Sequence, residues 1–244
     1  MKMLWFSSRN LKEIVRDPLN VGFGLGFPLI VLLLLTAIQA NVPVELFKLD
    51  RLTPGIAVFG LSFVALFSAT LISKDRSTAF LTRLMASPLT ASDFILGYTL
   101  PMLPIAAGQT LVCFLAAFVL GLKPSINYFA VAAVLLPASM LFIGTGLLCG
   151  SLLKDKQVGG VCGALLTNLT AWLSGTWFDL ELAGGAFKRI ADIFPFSHAV
   201  AAARAAWQGN FGAALPDLWW VIAYAIVITA LAVLAFRGRM YAGK

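Results

Sequence analysis

Few side chains in this sequence are placed to do chemistry. When residues 157–177 are projected as a helix, Gly160, Gly163, Thr167, Thr170 and Ser174 share one narrow arc, with Asn168 beside it. Small residues at that spacing let helices approach closely. Their hydroxyls and amide either bond across such a contact or line a route for a molecule carrying polar groups. Covalent chemistry is not indicated. An enzyme needs nucleophile, base or metal ligands gathered at one depth, whereas all eleven acidic residues, from Glu13 to Asp217, fall in loops or arms. The single histidine, His198, has no evident partner in the sequence. Cys113, Cys149 and Cys162 lack CxxC spacing and read as small buried hydrophobes. No catalytic residue and no metal site is expected. The sequence also lacks a Gly-x-x-x-x-Gly-Lys-Ser/Thr phosphate loop, so any uphill work must be powered by another subunit.

A second stretch raises a different chemistry. Residues 74–94 read K-D-R-S-T-A-F-L-T-R-L-M-A-S-P-L-T-A-S-D-F, a charged interruption between two apolar runs. Ser77 or Thr78 can cap a helix running to about Ala86, and Pro88 stops it. Phe80, Leu81, Leu84 and Met85 then cover one face, with Arg76, Thr82, Arg83 and Ser87 around the rest. Such a helix either lies on lipid or presses into a groove on another protein.

The elements that must carry these residues follow from composition. With 60% hydrophobic and 12% charged residues the chain lies far from soluble domains, and its mean hydropathy is +0.90. It reads as an all-α integral membrane protein. Runs free of charge at 21–40, 54–73, 94–121, 127–153, 157–177 and 218–236 are each long enough to cross a hydrocarbon core of about 30 Å as a helix. Residues 190–207 carry Asp192, Pro195, His198 and Arg204 and are expected to lie at the interface or dip partway in. Pro101, Pro104, Gly108 and Gln109 predict a kinked third span resting on its neighbours through Gln109, and Pro137, Gly144, Gly146 and Gly150 make similar architecture in the fourth.

Charge sets the orientation. The arm before the first span, the second and fourth loops and the tail hold 12 of the 18 basic residues, which predicts that both termini are cytoplasmic. The net charge of +7 suits anionic lipid headgroups at the inner face, with no need for nucleic acid. No signal peptide is expected, because 21–40 is too long for one and no clear cleavage site follows. In the arm, Met3, Leu4, Leu11, Ile14 and Val15 project to one side and Arg9, Lys12, Glu13 and Arg16 to the other. This predicts an interfacial helix that bends at Pro18. One such chain has too few helices to enclose a conduit, so a dimer of identical or paralogous chains is expected.

The chain resembles the type-2 membrane permeases of ATP-binding-cassette (ABC) transporters. The resemblance rests on the amphipathic arm, the six spans, and D-R-S-T-A-F-L-T-R-L-M-A-S-P-L leading into F-I-L-G-Y. An outer F-P-F-S-H-A-V-A-A-A-R-A-A-W-Q-G before the last span completes it. Asp75-Arg76, Thr78, Leu81, Leu84 and Ser87-Pro88 fit the family's first cytoplasmic loop. The resemblance implies a single permease domain over 1–244, with an interfacial helix at 1–18, a coupling-helix loop at 74–93 and outer re-entrant helices at 178–216; Trp172, Trp177 and Trp207, in or just before that outer segment, suit the headgroup level. It implies that Lys74, Asp75, Arg76, Thr78, Phe80, Leu81, Arg83, Leu84, Met85 and Pro88 contact a separate ATPase subunit, which holds the ATP and Mg. Lys154, Asp155, Lys156 and Gln157 would be secondary contacts.

The same resemblance makes the second and fifth spans line a dimer interface, with Phe63, Phe67 and Ser68 opposite Thr167, Asn168, Thr170 and Ser174. It also implies outward transport across a bacterial cytoplasmic (inner) membrane. An apolar, aromatic lining with scattered hydroxyls suits an amphipathic or lipid-linked cargo. A free-standing facilitator or flippase is the competing class, and would work without ATP.

Overall fold

The computed structural model describes residues 2–42, 44–78 and 91–242, and no strand occurs among them. Helix α1 (Lys2–Val15) leads through a short bend into α2 (Pro18–Asn41), with Pro18 at the first helical position, where its missing N–H costs nothing. A 3₁₀ turn at Glu45–Phe47 precedes α3 (Leu49–Ser77). Next come α4 (Ala91–Thr99) and α5 (Met102–Val119), separated at Leu100 and Pro101, the break that the paired prolines predict. Helix α6 (Asn127–Leu152) is followed by α7 (Asp155–Val158), a π-helical stretch Gly159–Leu166, and α8 (Thr167–Leu173). Three short helices, α9 (Leu180–Ala183), α10 (Gly185–Ile193) and α11 (Pro195–Trp207), lead to α12 (Phe211–Ala242).

Among the described residues, five helical segments are long and apolar enough to cross a membrane: Val21–Asn41, Leu49–Ser77, Asp93–Val119, Asn127–Leu152 and Phe211–Gly238. The further crossing expected at 157–177 is helical from Asp155 to Leu173, but its π stretch divides it into short elements. Helix α3 forms the axis of the bundle. The most apolar window of α3 is 89% buried, against 28% for the first span and 17% for the last, whose open faces are largely apolar, as suits lipid contact.

Small residues bring the axis and α6 together. A Cβ at Gly146 would lie 2.2 Å from the Ala65 carbonyl oxygen, and one at Gly150 would lie 2.6 Å from that of Ala69. The helices therefore touch backbone to backbone, the packing that a Gly-x-x-x-Gly spacing permits in lipid. Gln109 of α5 lies over Gly60 in the same way, as its place in the third span predicts.

Both ends of the chain lie at one end of the bundle. Phe6 of α1 packs edge-on to Phe94 at 6.0 Å, and Phe94 meets Phe236 of α12 at 5.7 Å. The start of α3, the 174–179 turn and helices α9 to α11 occupy the opposite end. There α11 dips into the bundle: Ala199, Ala202, Ala203 and Ala206 are buried, and the Trp207 ring meets that of Phe114 at a tilt, with centroids 5.3 Å apart. Trp207 thus packs against the protein.

Candidate functional site

Four consecutive residues at the end of α3 fasten four different parts of the molecule. Ser73 donates to the Asp155 carboxylate at 2.9 Å, joining α7. Lys74 pairs with Asp17, between α1 and α2, at 3.6 Å. Asp75 is 2% exposed and accepts both terminal nitrogens of Arg9, at 2.8 and 3.0 Å, and the Tyr98 hydroxyl at 2.9 Å. Arg76 donates to the carbonyls of Gly150 and Leu153, at 2.5 and 3.1 Å, satisfying the end of α6.

The bidentate Arg9–Asp75 geometry is the strong form of the ion pair. Asn10 extends it, being fully buried and donating to the Gly97 carbonyl at 2.9 Å. Residue 97 must be glycine for this approach, because a Cβ would lie 2.2 Å from the Phe6 ring. Helix α1 accordingly has two working faces. Phe6, Asn10 and Ile14 face the protein, while Leu4, Trp5 and Val15 are exposed. The sequence projection had put Ile14 with the lipid-facing side chains and Arg9 with the solvated ones; both instead turn inward, drawn by Phe94, Tyr98 and Asp75.

A groove of about 550 Å³ runs between α2, α3 and α8. Phe23 and Phe27 line it from α2, Phe59 and Phe63 from α3, and Gly163, Thr167, Asn168, Ala171 and Trp172 from the π stretch and α8, with Trp177 beyond. The rings interlock: Phe27–Phe63 and Phe59–Phe63 centroids are both 5.8 Å apart, and Phe59–Trp177 are 5.1 Å apart. Asn168 is exposed here, and its amide nitrogen donates to the Ala164 carbonyl at 2.8 Å.

At the opposite end of α3, a cavity of about 260 Å³ is lined by charged side chains from α3 and from α9 to α12. In it, His198 Nδ1 lies 2.6 Å from Asp217 and Nε2 lies 2.8 Å from the Asp192 carbonyl. The hydrogen bond to Asp217 outweighs burial and raises the histidine pKa above its ordinary value.

The family model described as ABC-2 type transporter matches residues 2–207. The chain belongs to the ABC-2 type transporter family. It is therefore an ABC transporter permease subunit, a multi-pass membrane protein of a family that in general pairs with an ABC ATPase, and is not itself the ATP-binding component. A comparison with curated proteins gives no match.

Against this geometry the expected permease residues divide into groups. Phe63, Thr167 and Asn168 do line the groove. Phe67, Ser68 and Thr170 are buried behind it, the two hydroxyls bonded to the backbone at Val64 and Leu166. Ser174 belongs to the charged cavity at the far end. Among the ATPase contacts, Phe80, Leu81, Arg83, Leu84, Met85 and Pro88 lie outside the described residues. Lys74, Asp75 and Arg76 belong to the last turns of α3, which runs past the expected end of the second span at 73, and Thr78 follows it, donating to the Asp75 carbonyl at 3.1 Å. Lys74 and Arg76 favour that extension, as cations at a helix C-terminus. Lys154, Asp155, Lys156 and Gln157 are exposed at the start of α7.

Sequence reasoning missed Phe23 and Phe27, since nothing in a uniformly apolar first span distinguishes the face that meets α3. A Cβ at Gly24 would lie 2.2 Å from the Phe67 ring, so the glycine marks the contact. The partner of His198, Asp217, lies 19 residues away across a helix junction.

Proposed function

We propose that this permease pairs with a second copy or a paralogue to form an exporter of amphipathic or lipid-linked cargo. The cargo moves outward across a bacterial cytoplasmic membrane, and a separate ATPase using ATP and Mg supplies the work. The observation that carries the cargo class is the groove: six aromatic side chains face about 550 Å³, with Thr167 and Asn168 as its polar contribution. Such a lining holds an apolar body and orients one polar group, and offers no shell for a bare ion. A second chain set against the groove would enclose it, making the dimer the transporting unit. In this reading residues 157–177 form the fifth of six crossings and both termini are cytoplasmic, in line with the basic arm, loops and tail.

The loop at 74–93 carries the coupling helix in this proposal, with Phe80, Leu81, Leu84 and Met85 seated on the ATPase and Arg83 and Pro88 at its edges. Lys154 and Lys156 add contacts. Ser73, Lys74, Asp75 and Arg76 transmit instead of dock, because their side chains are bonded within the chain. ATPase closure would draw two coupling helices together and carry α1, α4, α6 and α7 with each α3.

The test is co-purification with the ATPase. Leu84→Asp combined with Met85→Asp should lower recovery of the ATPase at least about tenfold, the effect of placing two charges in an apolar contact; unaltered recovery would overturn the docking mode. For the groove, ATPase stimulation by a panel of amphiphiles in nanodiscs should need about tenfold more ligand in Phe63→Ala. Transport at the same rate in liposomes without ATP would overturn the driven mechanism.

A further inference from the structure

The fold brings two of the three cysteines together. Cys149 lies in the last turn of α6 and Cys162 in the π stretch, and both pack in one small apolar cluster with Leu66, Ala69 and Val158. Their thiols share a side-chain hydrogen bond. Cys113 is elsewhere, buried on α5, where Gln109 Nε2 donates to its sulfur at 3.3 Å.

The two paired positions differ in access. Cys149 is half-buried and Cys162 is fully buried. The Arg76 guanidinium donates to the carbonyl of Gly150, the next residue along, and so sets a cation beside the turn that carries Cys149. A partly open sulfur near positive charge, with a sheltered thiol against it, is the arrangement of a peroxide-attacked cysteine and its resolving partner.

We infer that Cys149 and Cys162 are a redox latch, which a hydroperoxide converts to a reversible disulfide tying α6 to the π stretch. The Cys149 sulfur, as thiolate, attacks the peroxide: an S–O bond forms, the O–O bond breaks, and the second oxygen leaves as hydroxide, which takes up the thiol's proton as water. The Cys162 sulfur then attacks the sulfenic sulfur of Cys149. The S–S bond forms, the S–O bond breaks, and the departing hydroxide takes the Cys162 proton as a second water. The two thiols lose two electrons, and these reduce the peroxide.

The mechanical effect follows from how lightly the π stretch is held. Over 155–166, Val158 and Cys162 are the buried residues, and a Cβ at Gly159 or Gly160 would meet nothing within 4 Å. Helix α6, by contrast, touches α3 backbone to backbone at Gly146 and Gly150. The disulfide therefore fixes the groove wall that carries Gly163 and Thr167 to the helix pair that carries Phe59 and Phe63. Its effect on transport rests on the proposed role of the groove, whereas formation of the bond does not.

The permease, in nanodiscs, is exposed to hydrogen peroxide at a dose that oxidises its methionines, and free thiols and linked peptides are then measured by mass spectrometry. Wild type should lose two of its three free thiols, with the peptides of Cys149 and Cys162 joined, and a dithiol reductant should restore all three. Cys149→Ala and Cys162→Ala should each prevent the bond, and Cys113→Ala should keep it. The oxidised protein should unfold at least about 3 °C above the reduced form, because the bond closes a loop in the unfolded chain. In the complex with its ATPase, it should hydrolyse ATP at least about fivefold more slowly until reduced, as expected if a required motion is held. Three retained thiols, a sulfinic acid at Cys149 with Cys162 untouched, or joining between chains would overturn the disulfide. An unchanged ATPase rate with the bond in place would overturn the latch. Thiol counts and Tm need no cargo, so they fail or succeed separately from the groove's role.

Discussion

Helix α3 carries a charged cluster at each end, and the two are built on opposite principles. At the termini end Asp75 is sealed: the carboxylate accepts three bonds from two helices, and Lys74 and Arg76 beside it are also engaged. At the other end the charges border a cavity of about 260 Å³, and one buried guanidinium nitrogen is left without a partner. The first arrangement is a joint, whose energy lies in holding α1 and α4 to α3. The second leaves one donor without a partner, at a cost in stability.

The comparison is broken most directly by removing one member from each cluster. Asp75→Ala leaves Arg9 and the buried Tyr98 hydroxyl without their acceptor and should cost about 2 to 4 kcal/mol, the range for uncoupling a largely buried pair that is open to solvent on one side. Thermal unfolding in detergent measures it. Arg204→Ala should cost less, about 1 to 2 kcal/mol, since it removes two bonds to carbonyls but also a poorly satisfied charge. Equal losses would erase the distinction. Replacing both partners, Arg9→Met with Asp75→Leu, should recover more than half of the Asp75→Ala deficit, because no buried charge is then left alone.

The joint is sharpened further by Gly97→Ala, which places a methyl group against the Phe6 ring and should cost about 1 to 3 kcal/mol through overpacking. Adding Phe6→Ala should make the pair less destabilised than the sum of the single changes, since they share one contact. The smallest effect belongs to the far end. Because the folded-state pKa of His198 is raised, its contribution is fully present below the ordinary value of about 6.5 and is lost as pH rises through the raised one. The wild-type Tm should therefore fall by about 2 °C more than that of His198→Gln between pH 6 and 9. Subtracting the variant isolates the histidine from Asp192, Asp217 and Lys188, and parallel curves would show that it does not contribute.

The spans were legible because lipid imposes one simple demand, a long apolar helix, on five separate segments. The joint was legible only in part. The residues at 74–76 stood out by their charge, but charge beside a membrane is read by default as facing water or a partner, and nothing local in the sequence pairs Asp75 with Arg9, 66 positions away. The groove suffered from a different limit. Projecting residues 157–177 at one helical period put Gly160 and Gly163 in one arc with Thr167, Thr170 and Ser174, whereas the π stretch at 159–166 changes the angular step before Thr167. Thr167 bonds back to the Cys162 carbonyl, five residues earlier, and Ser174, just past the end of α8, lines the charged cavity and not the groove.

The backbone contact of α3 with α6 at Gly146 and Gly150 has a consequence for motion. With no compressible side chain between them, the two helices tilt as one beam, and Gly60, under Gln109, lies near its middle. Arg51 and Asp75 are about 36 Å apart along that beam. A rocking of only about 3° about the centre displaces each end by about 1 Å in opposite senses, enough to unmake a hydrogen bond. Any pull on Asp75 from below is thus felt, inverted, by the Arg51 carbonyl that holds Arg204 in place.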